Sequence, residues 1–368
     1  MSGHLRWLRR CLAACWLAGA VVFAPTALAE ETVSRESSAG ERLEAAMADF
    51  TQRAIERLAV SPSPRERWIA GLLLLDESMR AGDRSDALRE RAQGLLDGAL
   101  AAGQDDATLL FWALLDPPMR QTADAAATAQ ARLAMLARLQ KLEPDNAVVW
   151  IGTLPARDAA GAIPLAIEAL RRAAGAKRFD THFSTSMRMQ VQAFDQVPLP
   201  EDWPDTQGLA GWEGVRKEDL PVLLAVGVGN ALAMPYLVTL QWWCGGNSSE
   251  HPWLPDCRTL ARRMVERSDS IVTLSLGLAL ELQLYPADSE AGQRAQTQRR
   301  ELAWLVESGL QQVGPGKPVS FAIWRRAWMA AGATELSVAR ALLKAQKLPA
   351  SPPADFVPAW DRPESTSP

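Results

Sequence analysis

The chain has 368 residues, with 39 Lys and Arg against 43 Asp and Glu, which gives a formal net charge of −4 at pH 7. That balance argues against nucleic-acid binding, which needs a concentrated basic face. With three histidines and four cysteines, the chain lacks the ligand clusters typical of metal sites, and we expect no metal and no cofactor.

The first 29 residues have the layout of an export signal. Three arginines precede an apolar run from Cys11 to Phe23, and an Ala-Leu-Ala pattern ends at Ala29. We therefore predict cleavage near Ala29 and a periplasmic or secreted protein. The alternative is a lipoprotein, because the residues up to Cys15 resemble a lipobox, although the apolar run continues beyond Cys15.

The remaining chain is rich in Ala, Leu and Arg and has few alternating apolar and polar residues. Helix propensity and periodicity both predict an all-α fold of stacked antiparallel helix hairpins. We divide it into a flexible lead-in, an N-terminal helical array, a Pro- and Gly-containing connection, a C-terminal helical array and a Pro-rich tail. Their bounds are residues 30–40, 41–196, 197–219, 220–347 and 348–368.

Amphipathic stripes, capping residues and Pro or Gly stops set the individual helices. The predicted helices are, in chain order, residues 41–59, 65–81, 86–102, about 106–115, 123–142, 179–194, a pair within 220–243, 258–266, 271–284, 288–310, 321–331 and 335–347. The tail is expected to lie across the body through Phe356 and Trp360.

Residues 143–150 read Glu-Pro-Asp-Asn-Ala-Val-Val-Trp and resemble the junction between tetratricopeptide repeats. With Ala147 as the first position, Trp150 takes the early aromatic position of the repeat. Three later residues take the small, large and small positions of its second helix: Ala166, Leu170 and Ala173. Leu154 departs from the pattern, which has Gly there. The resemblance covers residues 144–174 approximately, and implies a tetratricopeptide-like α-solenoid or right-handed helical array without enzyme activity.

The stretch from Leu220 to Ser249 carries no charged side chain. It is long enough to cross a bilayer, but two glycines, an asparagine, a proline, a threonine and a glutamine dilute its apolar character. We therefore predict a buried helix pair broken near Pro235 rather than a membrane span.

Cys244 and Cys257 are the two cysteines that remain after cleavage, which predicts one disulfide; two unbonded buried thiols are the alternative. The loop 244–257 would thus be stapled, with a gain of about 3 kcal/mol. Around it lie candidate partner-binding residues, which are Trp242, Trp243, Glu250, His251 and Trp253. The competing interpretation is that the rings fold down and close the end of the core.

The usual catalytic motifs are missing from the sequence. Asp180 and His182 form an Asp-x-His pattern that can orient an imidazole, but a histidine at a helix start beside a capping Asp is the interpretation we favour. His251 is expected to be a surface or interface residue.

Three functions follow from these observations. The first is an exported helical-repeat scaffold for a protein or peptide, whose identity the sequence leaves open. The second is a periplasmic inhibitor or immunity-type protein that neutralises a secreted enzyme, with the loop aromatics turned outward. The third is an enzyme acting on cell-wall material through carboxylates such as Glu213 or Asp256.

Overall fold

The structure is a computed structural model that describes residues 33–80, 85–114, 125–156, 159, 161–207, 209, 212, 214–231, 235–245, 251–314 and 316–362. Across this part of the chain there are fifteen α-helices and no β-strand, and strand-like pairing is limited to isolated bridges. The all-α prediction is therefore confirmed. The predicted signal, residues 1–29, lies outside the described residues.

The helices follow one another through short connections. They are α1 (Val33–Ala59), α2 (Pro64–Arg80), α3 (Ser85–Ala102), α4 (Ala107–Leu114), α5 (Ala125–Leu142), α6 (Ala147–Ile151), α7 (Ala162–Gly175), α8 (Phe183–Phe194), α9 (Leu220–Ala231), α10 (Pro235–Cys244), α11 (Leu254–Arg267), α12 (Ile271–Leu284), α13 (Glu290–Ser308), α14 (Phe321–Trp328) and α15 (Glu335–Ala345). Single 3₁₀ turns occur at Lys217–Asp219, Leu310–Gln312 and Ala359–Asp361.

Two helices begin earlier than their sequence pattern predicts. Residues 33–40, assigned above to a flexible lead-in, are helical, because Gly40 costs a helix interior only about 1 kcal/mol and no proline interrupts the segment. Similarly, α11 begins at Leu254 rather than at Arg258, since Pro255 falls in the first turn, where its missing N–H is not needed.

Helices that are neighbours in sequence pack together, as in α1–α2–α3, α6–α7 and α11–α12–α13. Other contacts join distant parts of the chain: α7 packs on α11, α9 on α1, and α2 on α8. In an ideal solenoid each repeat contacts only its neighbours. The helix hairpins are therefore present, but the tetratricopeptide-like solenoid is not confirmed and stays a prediction.

The segment with the repeat resemblance is a packed helix pair with a shortened first helix. α6 has five residues and α7 has fourteen. Ala166, Leu170 and Ala173 are fully buried, in keeping with close helix approach. Trp150 is half-buried, with the guanidinium carbon of Arg172 4.7 Å from its ring centroid.

The uncharged stretch forms α9 and α10, with residues 232–234 between them outside the described part. Leu220, Val222, Ala225 and Leu240 are almost completely buried in the main hydrophobic core. None of the helices described combines the length and the apolar character that crossing a membrane requires.

Candidate functional site

The predicted disulfide is present. Cys244 ends α10 and Cys257 lies in the first turn of α11, and their Cα atoms are 5.5 Å apart across the S–S bond. Both residues are buried. The bond therefore fixes the end of the uncharged helix pair to the start of the following helix.

Two of the three loop tryptophans face the core. Trp243 is 2% exposed, and its Nε1–H donates to the carbonyl of Pro155 at 2.9 Å. Trp253 is 4% exposed and donates to the carbonyl of Trp243 at 3.1 Å. Their rings meet edge to face, with centroids 5.5 Å apart. Because each indole N–H finds a backbone acceptor inside, both rings can be buried without an unpaired donor.

Other side chains form the solvent-exposed surface around the disulfide. Trp242 is 54% exposed, and Val238, one turn earlier on α10, is 42% exposed. His251 is half-buried and stacks on Trp253, with ring centroids 4.4 Å apart. Glu250 lies outside the described residues. The proposed partner-binding set is thus corrected at Trp243 and Trp253, whose rings are inaccessible to a partner.

A groove of about 470 Å³ lies between the C-terminal end of α8, the turn before α9, and α14. Part of the predicted connection 197–219 forms one of its walls. Its apolar lining consists of Val197, Leu199, Pro221, Val222, Phe321, Ala322 and Met329. Val197 and Val222 are buried, while Leu199, Phe321 and Met329 keep part of their surface accessible. The groove therefore offers a partly exposed apolar floor.

Charged side chains surround that floor. The guanidinium of Arg325 donates two hydrogen bonds to the carboxylate of Asp195, with Nε 3.1 Å from Oδ1. Arg216 Nη2 lies 3.8 Å from Asp219 Oδ1, which is a long contact for an ion pair. Burial raises the pKa of the Asp219 carboxyl. Arg326 is exposed and has no ion pair within the described part of the chain. Arg326 is thus the groove guanidinium without an ion pair among the described residues, and Arg216 has only the long pair with Asp219, while Glu218 also lines the groove.

A second cluster, which we call the polar spine, joins the starts of several helices and lies away from the groove. Its members are Glu143, Asn146, Asp180, His182, Asp269 and Glu335. Isolated parallel bridges between Asn146 and Arg178, and between Phe179 and Ser268, bring the connecting segments alongside one another. The polar spine therefore links the starts of α6, α8, α12 and α15.

The first half of the polar spine centres on a buried ion pair. The Nε2–H of His182 donates to Glu143 at 3.0 Å, and Nδ1 lies 3.2 Å from the hydroxyl of Thr108. Burial alone would raise the pKa of Glu143, but hydrogen bonds and charge from His182, with bonds from Asn146 and Arg178, lower it to about 2. Burial opposes the charge on His182, yet the bond to Glu143 and nearby acids raise the pKa of its imidazole.

The second half of the polar spine centres on Asp269. Its carboxylate accepts hydrogen bonds from the backbone N–H and hydroxyl of Thr181 and from the backbone N–H of Ser184. Burial, followed by the negative charge of Asp180, raises the pKa of the Asp269 carboxyl. The next carboxyl, Glu335, accepts from the Ile271 N–H at 2.6 Å, and burial raises its pKa to about 7.

Two side chains of the polar spine are almost completely buried, since His182 and Asn146 are 5% and 0% exposed. His182 is the residue directly before α8, which agrees with the helix-start interpretation. Asp180 accepts from the His182 N–H at 2.8 Å, whereas the N–H inside the helix, that of Ser184, donates to Asp269. Sequence reasoning missed Glu143, Asp269 and Glu335. The available signal was an acidic or amide side chain beside the start of each of these helices.

Of the carboxylates considered for catalysis, Asp256 is half-buried in the first turn of α11, and Glu213 lies outside the described residues. Within the described ranges, no group of three His, Cys, Asp or Glu side chains is arranged to hold a metal ion. No family model matches the chain, and neither a curated protein nor a solved structure matches it.

Proposed function

We propose that this protein is an exported helical scaffold that binds a segment of another protein and has no catalytic activity of its own. The observation that carries the proposal is the groove between α8 and α14, which combines an apolar floor with two guanidiniums that lack strong partners. The export-type N-terminus and the Cys244–Cys257 bond support a location outside the reducing cytosol.

The lining of the groove defines the partner chemistry. An apolar side chain of a bound segment would contact Phe321 and Met329, which are only half-buried at present. A carboxylate next to it would receive hydrogen bonds from Arg326 and Arg216, because guanidinium and carboxylate match in shape and charge. We therefore propose a segment in which an acidic residue or a C-terminal carboxylate stands beside a large apolar residue.

The inhibitor alternative has less support. It requires the loop aromatics to form the contact surface, and Trp243 and Trp253 instead donate hydrogen bonds into the interior. Trp242 alone among the three is exposed. A single exposed ring is normal on a protein surface and does not by itself mark an interface.

The test is a selection of random twelve-residue peptides displayed on phage against the oxidised chain, followed by calorimetry with the selected synthetic peptides. We expect acidic residues next to large apolar ones to be enriched. Arg326→Glu should weaken binding by about 10- to 100-fold, since a charge-assisted hydrogen bond contributes roughly 1.5–3 kcal/mol.

The matched control is Arg340→Glu, an exposed arginine on α15 that does not line the groove. Its affinity for the selected peptides should equal that of the unaltered chain. Peptides that bind the Arg326→Glu and unaltered chains equally well, or a selection that enriches nothing, would overturn the proposal.

A further inference from the structure

The C-terminal segment of residues 349–362, which we call the strap, lies along α13. The Nε1–H of Trp304 donates to the carbonyl of Pro349 at 2.9 Å. The ring of Phe356 meets Trp304 edge to face, with centroids 5.1 Å apart. The guanidinium carbon of Arg299 lies 4.8 Å from the ring centroid of Trp360. Aromatic rings four residues apart thus dock on one helix.

Most polar contacts of the strap involve its backbone. Arg300 donates to the carbonyls of three strap residues, which are Pro353, Ala354 and Phe356. Glu307 accepts from the backbone N–H of Ala359 at 2.8 Å and from the side chain of Arg362 at 2.6 Å. Since backbone groups are common to all peptides, α13 recognises the path of the strap and its two rings more than its full sequence.

The strap buries little of its surface against the rest of the chain. Pro358 is its one buried residue, and the others are half-buried or exposed. Little apolar area is therefore removed from water, so local opening of the strap should require far less free energy than global unfolding. The prolines reduce the freedom of the open strap, which lowers the entropy lost when an equivalent segment binds.

We propose that the face of α13 formed by Arg299, Arg300, Trp304 and Glu307 is a binding site for proline-rich segments of a protein partner with two aromatic residues four apart. The strap is its intramolecular occupant and competes with the partner. None of these four side chains lines the groove, so this is a second site, independent of the one proposed above.

Competition can be estimated from effective concentration. A tethered segment is present at about 1 mM relative to its own site. If the isolated segment binds with a Kd of about 100 μM, the site is closed roughly ten to one, and a partner peptide binds about tenfold more weakly than it would to an open site. Substitutions that weaken the contact between the strap and α13 should therefore increase the affinity of this site for a free peptide.

The experiment uses a fluorescent synthetic peptide of residues 349–362 and full-length chains, with fluorescence anisotropy as the readout. We expect the Phe356→Ala/Trp360→Ala chain to bind the peptide about tenfold more tightly than the unaltered chain. Arg362→Ala, which loses the ion pair with Glu307, is a second weakened chain and should also gain affinity. Adding Arg300→Ala to either one should remove the gain.

Arg294→Ala is the matched control on the same helix, because Arg294 pairs with Glu290 and does not contact the strap. It should leave the gain unchanged, as should Arg326→Glu in the groove, so the two proposals fail separately. If both weakened chains remain helical but bind the peptide no more tightly than the unaltered chain, α13 is not a site for such segments. Equal binding with and without Arg300 would refute it as well.

Discussion

We predict that the free energy of unfolding depends on pH through Glu335, a carboxyl of the polar spine. Burial raises the pKa of this carboxyl from 4.5 to about 7 in the folded chain, against the lowering effect of the Ile271 N–H and with added repulsion from Asp269. A folded-state pKa above the unfolded one favours the protonated form. The resulting stability is present below about pH 4.5 and is lost as the pH rises towards 7.

The size of the effect follows from the shift. One pKa unit corresponds to about 1.4 kcal/mol, so the full shift corresponds to about 3 kcal/mol. Because Glu335 keeps part of its surface accessible, solvent screening reduces this, and we expect between about 1 and 3 kcal/mol. Glu335→Gln keeps an oxygen to accept from Ile271 but cannot ionise. Relative to the unaltered chain, the variant should gain that amount between pH 4.5 and 8.

The assay is urea unfolding followed by circular dichroism at several pH values, and the quantity compared is the difference in free energy of unfolding between variant and unaltered chain. His182, whose pKa is also raised, titrates in both proteins and largely cancels in the difference. Because Asp269 repels Glu335, the difference reports the Glu335 carboxyl together with that repulsion. A difference for Glu335→Gln that stays constant with pH would show that its carboxyl is not desolvated.

Three further predictions concern the disulfide, the loop tryptophans and the ion pair of the polar spine. Cys244→Ser/Cys257→Ser should lower the free energy of unfolding in urea by about 3 kcal/mol and leave the helix content unchanged. In thermal unfolding, Trp243→Ala should cost about 3–5 kcal/mol and its exposed neighbour Trp242→Ala less than about 0.5 kcal/mol, and similar costs would contradict their placement. Glu143→Gln should destabilise the chain by about 3 kcal/mol at pH 7, and in urea titrations this cost should fade as the pH drops from 4.5 to about 2, because the folded-state pKa of Glu143 is depressed.

Local features of the fold could be predicted because they depend on residues close together in sequence. Asp269 or Ser270 before a run that is charge-free until Glu281, with Tyr285 and Pro286 after it, predicted α12 with the bounds that the structure has, and Ser270 is the cap. The cap and the stop act within one helical turn, and tertiary packing did not override them.

The candidate sites could not be predicted, because they join segments that are far apart in sequence. The Glu335 carboxyl meets Ile271, and the walls of the groove come from around Asp195 and from α14. Such pairs depend on how the helix hairpins stack, which periodicity does not encode. The orientation of Trp243 was equally open, since an indole can face water or donate its N–H to a buried carbonyl, and the acceptor here, Pro155, lies on a distant loop.

The polar spine and the groove differ in the strength of the polar contacts that hold their helices together. At the polar spine, buried carboxylates accept from backbone N–H groups, and removal of either partner would leave a desolvated group unpaired. Across the groove, the ion pair of Arg325 and Asp195 is partly exposed, with side chains 43% and 25% accessible. Exposed ion pairs contribute about 0.2–1 kcal/mol. Opening that ion pair alone should therefore cost little, whereas Trp328, which is 1% exposed and meets Phe183 of α8 edge to face, keeps α14 fixed to the core.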